Sequence, residues 1–82
     1  MVHQRPDANG RMVLERDPRR TGFLVLNLST ANNIVITPMG KLPITLPPYS
    51  KLRVPDSTQI LFQGDSSERN YIVLEYAAGA EV

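Results

Sequence analysis

The chain has 82 residues, which is enough for one compact domain and too few for two. Hydrophobic residues make up 41% of the sequence and charged residues 21%, which excludes a mainly disordered chain. The net charge of +1 excludes nucleic-acid binding through bulk charge alone, and the absence of cysteine excludes disulfides and thiolate chemistry.

The first twenty residues differ in composition from the rest of the chain. They carry five arginines and three acidic residues, a net charge of +2, whereas residues 21–82 have a net charge of −1. Their apolar patch is the short run from Met12 to Leu14. We therefore predict an extended N-terminal arm over residues 1–20, with one short strand at 11–15 that must pair to be stable. Residues 21–82 are predicted to form the folded domain.

From Thr21 onward, short apolar and β-branched runs alternate with turn segments rich in Gly, Pro, Asn and Ser. In chain order the runs are residues 22–28, 33–37, 42–46, 51–54, 58–63 and 70–77. Short strands at this spacing are typical of a β-sandwich or barrel. Helices are disfavoured because seven prolines are scattered through the chain. The sequence thus predicts an all-β domain with at most a helical turn.

Several predicted strands carry apolar side chains on both faces. Leucines at even positions share one face of the first long run, and Phe23 and Val25 share the other. In the last run, Tyr71 and Val73 share a face in the same way. A small sandwich buries one face of each sheet, so the second face needs cover from the arm or from another subunit. We assign this second face to these four residues and expect its burial to drive self-association.

Two polar residues interrupt the apolar strands. Asn27 is predicted to bond its amide to backbone at a bend or interface, because a buried unpaired amide costs roughly 1–3 kcal/mol. Glu75 has two interpretations: a general acid with a raised pKa, or a structural residue that faces outward or pairs with a cation across a strand or subunit boundary. The structural interpretation is favoured, with Arg19, Arg20 or Arg53 as the partner, because opposite charges across strands commonly stabilise sheets.

Side chains suited to catalysis or cofactor binding form no recognisable pattern in this sequence. The single histidine, His3, lies in the predicted arm, where a catalytic base would not be held rigidly. The glycines are isolated, which argues against a phosphate-binding loop. The loop 65–68 lacks the ligand spacing of an EF-hand, so a solvated hairpin loop is favoured over a calcium site. We predict no enzymatic activity, no metal and no cofactor.

The arginines of the arm are the candidate charged contacts. Arg19 and Arg20 precede the strongest strand, and they either anchor an acidic partner surface or guard a strand edge against unwanted pairing. Arg5, Arg11 and Arg16 would contact phosphates if the protein were a small nucleic-acid-binding β-barrel. That alternative is less favoured because the two tyrosines of the last strand point to opposite faces and cannot form one stacking platform.

Three passages, taken in order, resemble small all-β virion proteins of tailed bacteriophages. They are Asp17 to Leu28, a proline–arginine approach to an apolar strand containing Asn; Ile44 to Pro48, a strand followed by a proline turn; and Ile72 to Tyr76, a closing strand. The sequence departs from such proteins at Tyr49, where they often have glycine. The resemblance implies a jelly-roll-like β-sandwich that decorates or cements a capsid, usually as a trimer, and it implies no catalytic residues.

These observations lead to one functional hypothesis. The chain is predicted to be a non-enzymatic virion structural protein, assembled in the host cytoplasm, that binds the major capsid protein or other virion proteins and forms a homo-oligomer, with a trimer favoured. The predicted interface residues are Arg5, Arg11, Arg16, Arg19, Arg20, Phe23, Val25, Tyr71 and Val73. The alternatives are a head–tail, portal-adaptor or fibre-base protein and a small nucleic-acid-binding β-barrel. No membrane contact is expected.

Overall fold

The computed structural model describes the backbone of residues 2–77 and the side chains of residues 4–77. The predictions about the His3 side chain and about residues 78–82 lie outside this part of the chain. The elements are β1 (Val2–Gln4), β2 (Arg11–Leu14), β3 (Arg20–Asn27), β4 (Ile34–Pro38), β5 (Ile44–Leu46), β6 (Lys51–Val54), β7 (Ile60–Gly64), a 3-10 turn (Asp65–Ser67) and β8 (Tyr71–Ala77). Within residues 2–77 no helix is long and apolar enough to cross a lipid bilayer.

The strands form two antiparallel sheets of four strands each. Sheet A has the order β1-β8-β3-β6, and sheet B has the order β2-β7-β4-β5. The first strand pairs with the last, the second with the seventh, the third with the sixth and the fourth with the fifth. This is the pairing of one long hairpin wound around a core, which is a jelly roll. The predicted all-β sandwich is confirmed.

The predicted runs from residue 22 onward correspond in order to β3 through β8, with ends that differ by two residues or fewer. The turns between them contain the expected breakers. Gly40 takes a positive φ of 73° in the turn after β4, where Lys41 N donates to Pro38 O. Tyr49, the position where the resemblance expected glycine, also takes a positive φ, of 57°. The chain therefore keeps a left-handed turn there in spite of the aromatic side chain.

The core lies between the two sheets and receives side chains from both. The ring centroids of Phe23 in sheet A and Phe62 in sheet B lie 5.6 Å apart, with an interplanar angle of 81°. Such edge-to-face pairs stabilise a core beyond the area they bury. The other core side chains are Met12, Leu14, Val25, Ile34, Ile36, Leu46, Ile60, Tyr71 and Val73.

This core corrects one prediction. Phe23, Val25, Tyr71 and Val73 were assigned to an intermolecular interface, but all four side chains are fully buried between the sheets of one molecule. The alternation identified the two faces of each strand correctly. It did not identify which face turns inward, because both faces are apolar and the choice depends on the path of the opposite sheet.

Residues 1–20 were predicted as an extended arm, but their described part belongs to the sandwich. The short strand predicted at 11–15 is present as β2, and it forms the edge of sheet B beside β7. Met12 and Leu14 on this strand are buried in the core. β1, which the sequence did not predict, forms the edge of sheet A beside β8. The apolar patch of this segment therefore finds its pairing partner within the same chain.

Candidate docking surface

The face of sheet A that points away from the core is apolar at its centre. Leu24 of β3 lies opposite Leu74 of β8, and Leu26 of β3 lies opposite Ile72 of β8. These four side chains are therefore neighbours in two adjacent strands, and none of them belongs to the core cluster. Leu24, Leu26 and Ile72 remain partly exposed. We call this group of four residues the outer row of sheet A.

Two cations border the outer row on strand β6. Lys51 lies opposite Leu26 and Arg53 lies opposite Leu24, and both side chains are exposed. The guanidinium carbon of Arg53 lies 5.8 Å from the centroid of the Tyr76 ring, a cation–π contact that holds it over the sheet. Neither cation forms a salt bridge with any residue in the described part of the chain. Sheet A thus presents apolar side chains next to two uncompensated positive charges.

Sheet B presents a second apolar surface. A shallow groove of about 320 Å³ lies on its outer face, lined in part by Val13, Val35 and Leu61. Val13 is 43% exposed and Leu61 is 48% exposed, and the two lie opposite each other on β2 and β7. Arg11 and Gln63 border this groove, so its rim carries a single charge.

A polar hollow of about 560 Å³ lies between the β1–β2 and β7–β8 connections. Glu68 lines it, but its carboxylate is occupied in holding the loops: it accepts from the Ser29 hydroxyl at 2.7 Å and from the Asn32 amide at 2.9 Å. These hydrogen bonds, with one from the Asn70 backbone N–H, lower the pKa of Glu68 to about 2. The group is ionised at neutral pH and has a structural role.

The five predicted arginine contacts lie in separate places. Arg5 lines the polar hollow, and Arg11 lines the groove on sheet B. Arg16 and Arg19 line a third depression beside the β2–β3 connection, and both are exposed. Arg20 is 4% exposed. The structure therefore does not bring these arginines together into one basic patch, and Arg20 is a structural residue that solvent and partners do not reach.

The burial of Arg20 is explained by its hydrogen bonds. Its guanidinium donates to Asp56 O at 3.1 Å, to Glu15 O at 3.0 Å, to Glu75 Oε1 at 2.9 Å and to Thr58 O. The prediction that Glu75 pairs with an arginine across a strand is confirmed, and the arginine is Arg20. Because both oxygens of Glu75 accept hydrogen bonds, the second from the Gln4 amide, this carboxylate is committed to structure.

The prediction for Asn27 is also confirmed. Its side-chain amide donates to the carbonyls of Asn32, Leu46 and Pro47 at 3.0–3.1 Å, and its oxygen accepts from Ser29 N at 3.0 Å. A buried amide inside an apolar strand therefore has every hydrogen-bonding group satisfied.

Lys51 and Arg53 were absent from the predicted interface. A signal for them exists in the sequence, since cations at positions i and i+2 of a strand share one face. The sequence Lys51-Leu52-Arg53-Val54 also alternates charged and apolar residues, which predicts a strand with one face in solvent. What the sequence does not show is that β3, with Leu24 and Leu26, lies beside this strand.

Across residues 2–77, the structure groups no three His, Cys, Asp or Glu side chains in a way that could hold a metal ion. Comparison with protein-family models, with curated proteins and with solved structures finds no match to this chain. The function must therefore be inferred from the chemistry of the molecule's own surfaces.

Proposed function

We propose that this protein is a non-enzymatic structural protein of a bacteriophage virion, a decoration or cement protein that binds the outside of a capsid and stabilises it. The observation that carries the binding role is the outer row of sheet A with Lys51 and Arg53 beside it, and the capsid as partner is taken from the sequence resemblance to phage virion proteins. A compact domain with an apolar strip next to unpaired charges is suited to binding another protein surface.

The outer row supplies the affinity in this proposal. Fully burying a leucine or isoleucine side chain contributes roughly 1.5–3 kcal/mol, and three of the four residues are still partly exposed in the free molecule. Part of this gain is offset by the loss of translational and rotational freedom on association. Multiple copies on one capsid would increase the total stabilisation without any tighter single contact.

The two cations supply orientation more than affinity. Lys51 and Arg53 lie at one side of the outer row, so an acidic partner surface would be steered into a defined register. Their contribution is expected to weaken as salt concentration rises, because both charges are exposed and screened.

The jelly-roll fold is compatible with the proposal but does not favour it over other functions. Viral capsid proteins, lectins and cupins share this architecture, so the fold alone carries no function. Self-association, with a trimer favoured, stays a prediction without its original basis, because Phe23, Val25, Tyr71 and Val73 are buried within one molecule. Native mass measurement of the purified protein tests it. A stable monomer would remove the oligomer from the proposal.

A capsid-binding experiment with matched variants tests the function. We expect wild-type protein to bind capsids that lack it in a saturable manner and to raise their resistance to heat. The variant L24Q/L26Q removes two apolar contacts of the outer row and should bind roughly a hundredfold more weakly. The variant V13Q/L61Q also replaces two apolar residues by glutamine, on the outer face of sheet B, and serves as the control. It should bind as the wild type does.

Circular dichroism of both variants must show the wild-type fold. Equal binding by the two variants would contradict the assignment of the outer row. If the wild-type protein does not bind capsids but binds single-stranded DNA at low salt, the nucleic-acid alternative would replace the proposal.

A further inference from the structure

Each sheet ends in two edge strands, whose outer backbone groups have no neighbouring strand in the described chain: β1 and β6 in sheet A, β2 and β5 in sheet B. In an antiparallel pair, alternate residues direct their N–H and C=O groups to the partner, and the residues between them direct theirs to the free edge. The register and the flanking hydrogen bonds therefore show which backbone groups each edge offers.

The edge at β5 is closed by proline. Asp65 N donates to Asn33 O at 2.9 Å, so the odd-numbered residues of β4 bond to β7 and the even-numbered residues bond to β5. The register then places Thr45 at the free edge, with Pro43 and Pro47 two residues away on either side. Proline has no N–H to donate, so this edge offers a single residue for pairing.

The edge at β2 is closed by a loop of the same chain. Gly64 N donates to Gly10 O at 2.8 Å, which places Arg11 and Val13 at the free edge. Asp7 already occupies both backbone groups of Arg11: Asp7 N donates to Arg11 O at 2.9 Å, and Arg11 N donates to Asp7 Oδ1 at 3.0 Å. Within β2, only the Val13 backbone remains for pairing.

The edge at β1 is short. Leu28 N donates to Asn70 O at 2.9 Å, so the even-numbered residues of β8 bond to β3 and the odd-numbered residues bond to β1. The register of this three-residue strand leaves the backbone of His3 alone at the free edge. One residue is too little for a stable added strand.

The edge at β6 is open. Asn27 N donates to Ser50 O at 2.8 Å, so the even-numbered residues of β6 bond to β3. Lys51 and Arg53 direct their backbone groups to the free edge, and their side chains lie on the outer face of the sheet. Among the strands described, β6 thus offers two pairing residues, at alternate positions along the free edge, and both carry a positive charge.

We propose that β6 binds an extended segment of a partner protein as an added antiparallel strand, and that this segment carries acidic side chains at alternate positions. Residues directly opposite each other in an antiparallel pair share a face, so carboxylates at i and i+2 meet Lys51 and Arg53. The added strand would become a fifth strand of sheet A, next to β6, and its carboxylates would lie on the same face as the outer row. This inference rests on the proposed docking function of that face and names the chemistry of the partner.

Charge argues against a second copy of this chain as the occupant. Pairing β6 with β6 of another molecule would place Lys51 and Arg53 opposite the same two cations, and like charges directly opposite are destabilising. The same charges discourage indiscriminate pairing with neutral strands, which is how many proteins protect an edge. The two functions, protection and selective acceptance of an acidic strand, differ in one measurable respect: only the second predicts a binding partner.

Two synthetic peptides of the same composition test the proposal. In the first, two glutamates alternate with valine and threonine, so both carboxylates lie on one face. In the second, the glutamates are adjacent, so only one lies on that face. We expect the first peptide to bind about fivefold more tightly, because the second loses one cross-strand ion pair. The amide protons of Lys51 and Arg53 should become protected from hydrogen exchange in the complex.

Charge-reversal variants provide the control. K51E/R53E should lose the preference for the alternating-glutamate peptide and bind the corresponding alternating-lysine peptide instead. R11E/R16E reverses two exposed arginines elsewhere on the molecule and should retain the wild-type preference. Equal binding of both glutamate peptides, or binding without protection of the two amides, would overturn the proposal.

The capsid assay separates this inference from the proposed function. If the wild-type protein decorates capsids and K51E/R53E decorates them equally well, the inference is wrong, and the proposed function stands on the outer row without the two cations. If the alternating-glutamate peptide binds β6 as expected while capsids remain unbound, the inference stands and the proposed function is wrong.

Discussion

The two ends of the sandwich are closed by the two ends of one strand. β3 begins with Arg20 and finishes with Asn27, and both side chains are buried beneath connecting loops. Arg20 donates to carbonyls in the β2–β3 and β6–β7 connections. Asn27 donates to carbonyls of the β3–β4 connection and of the chain where β5 passes into the next loop. Each residue ties together loops that are distant in sequence.

The difference between the two ends is charge. The Arg20 side chain is 2% exposed, and it requires Glu75, which is 17% exposed, as a counter-charge. Asn27 is neutral and requires only that its hydrogen-bonding groups be satisfied. No buried side-chain nitrogen or oxygen in the described residues lacks a hydrogen-bond partner. A buried ion costs more to leave unpaired than a buried amide, so the Arg20 end should be the more sensitive to substitution.

The largest effect is expected for Arg20→Met. This substitution leaves Glu75 without its counter-charge and leaves the carbonyls of Glu15 and Asp56 without their donor. We expect the free energy of unfolding to fall by about 3–5 kcal/mol, measured by urea unfolding. Arg19→Met is the matched control, because the Arg19 side chain is 88% exposed. This variant should change the free energy of unfolding by less than about 0.5 kcal/mol.

Should Arg20→Met prove unable to fold, Arg20→Lys keeps the prediction testable. A lysine retains the charge near Glu75 but lacks the planar guanidinium that reaches several carbonyls. The Arg20→Lys variant should therefore have a stability between those of the wild type and Arg20→Met. Equal stability of the Arg19 and Arg20 variants would show that the guanidinium network does not hold this end together.

A smaller effect is expected for Asn27→Ala at the opposite end. The variant leaves the carbonyl of Leu46 and the N–H of Ser29 without side-chain partners. We expect a loss of about 1–3 kcal/mol in urea unfolding, below that of Arg20→Met. Asn70→Ala removes one exposed side-chain hydrogen bond to Leu28 O and serves as the control, with a loss below about 0.5 kcal/mol. A larger loss for Asn27→Ala than for Arg20→Met would reverse the comparison.

The strands were predictable because their physical basis is local. Alternation and turn residues located β3 through β8. The polar interruptions at Asn27 and Glu75 predicted an amide bonded to backbone and an ion pair with an arginine, and the structure contains both. The sequence did not predict β1, because Val2-His3-Gln4 is too short to show an alternating pattern. Its pairing depends on β8, which lies about seventy residues away in the sequence.

The candidate surface was less predictable because it depends on which elements become neighbours. Arg19 and Arg20 have the same chemistry and adjacent positions, yet one side chain is 88% exposed and the other 2%. Only the paths of the loops carrying Glu15 and Asp56 distinguish them. The inward face of β3 was likewise undetermined, since Phe23 on one side and the leucines on the other are equally apolar.

Acid should weaken both ends of the sandwich together. Burial opposes ionisation of Asp56, near the Arg20 end, but hydrogen bonds from Thr58 and Lys41 outweigh it and lower the pKa of this group to about 2. At the Asn27 end, the pKa of Glu68 is also lowered to about 2, first by the Ser29 hydroxyl. At neutral pH both carboxylates are ionised, folded or unfolded, so their contribution is fully present.

The direction of the pH dependence follows from these pKa values. Each group has a lower pKa in the folded protein than its ordinary value of 3.8 or 4.5, so the unfolded chain binds protons first as the pH falls. Stability should therefore be constant above about pH 5 and decline between about pH 4.5 and 2 in urea titrations followed by circular dichroism.

D56N and E68Q should each flatten part of this decline, and the double variant should flatten it most. Ser29→Ala, which removes the main donor to Glu68, should reproduce part of the E68Q profile. If either single variant kept the full wild-type slope, the corresponding carboxylate would not contribute to holding its end of the sandwich.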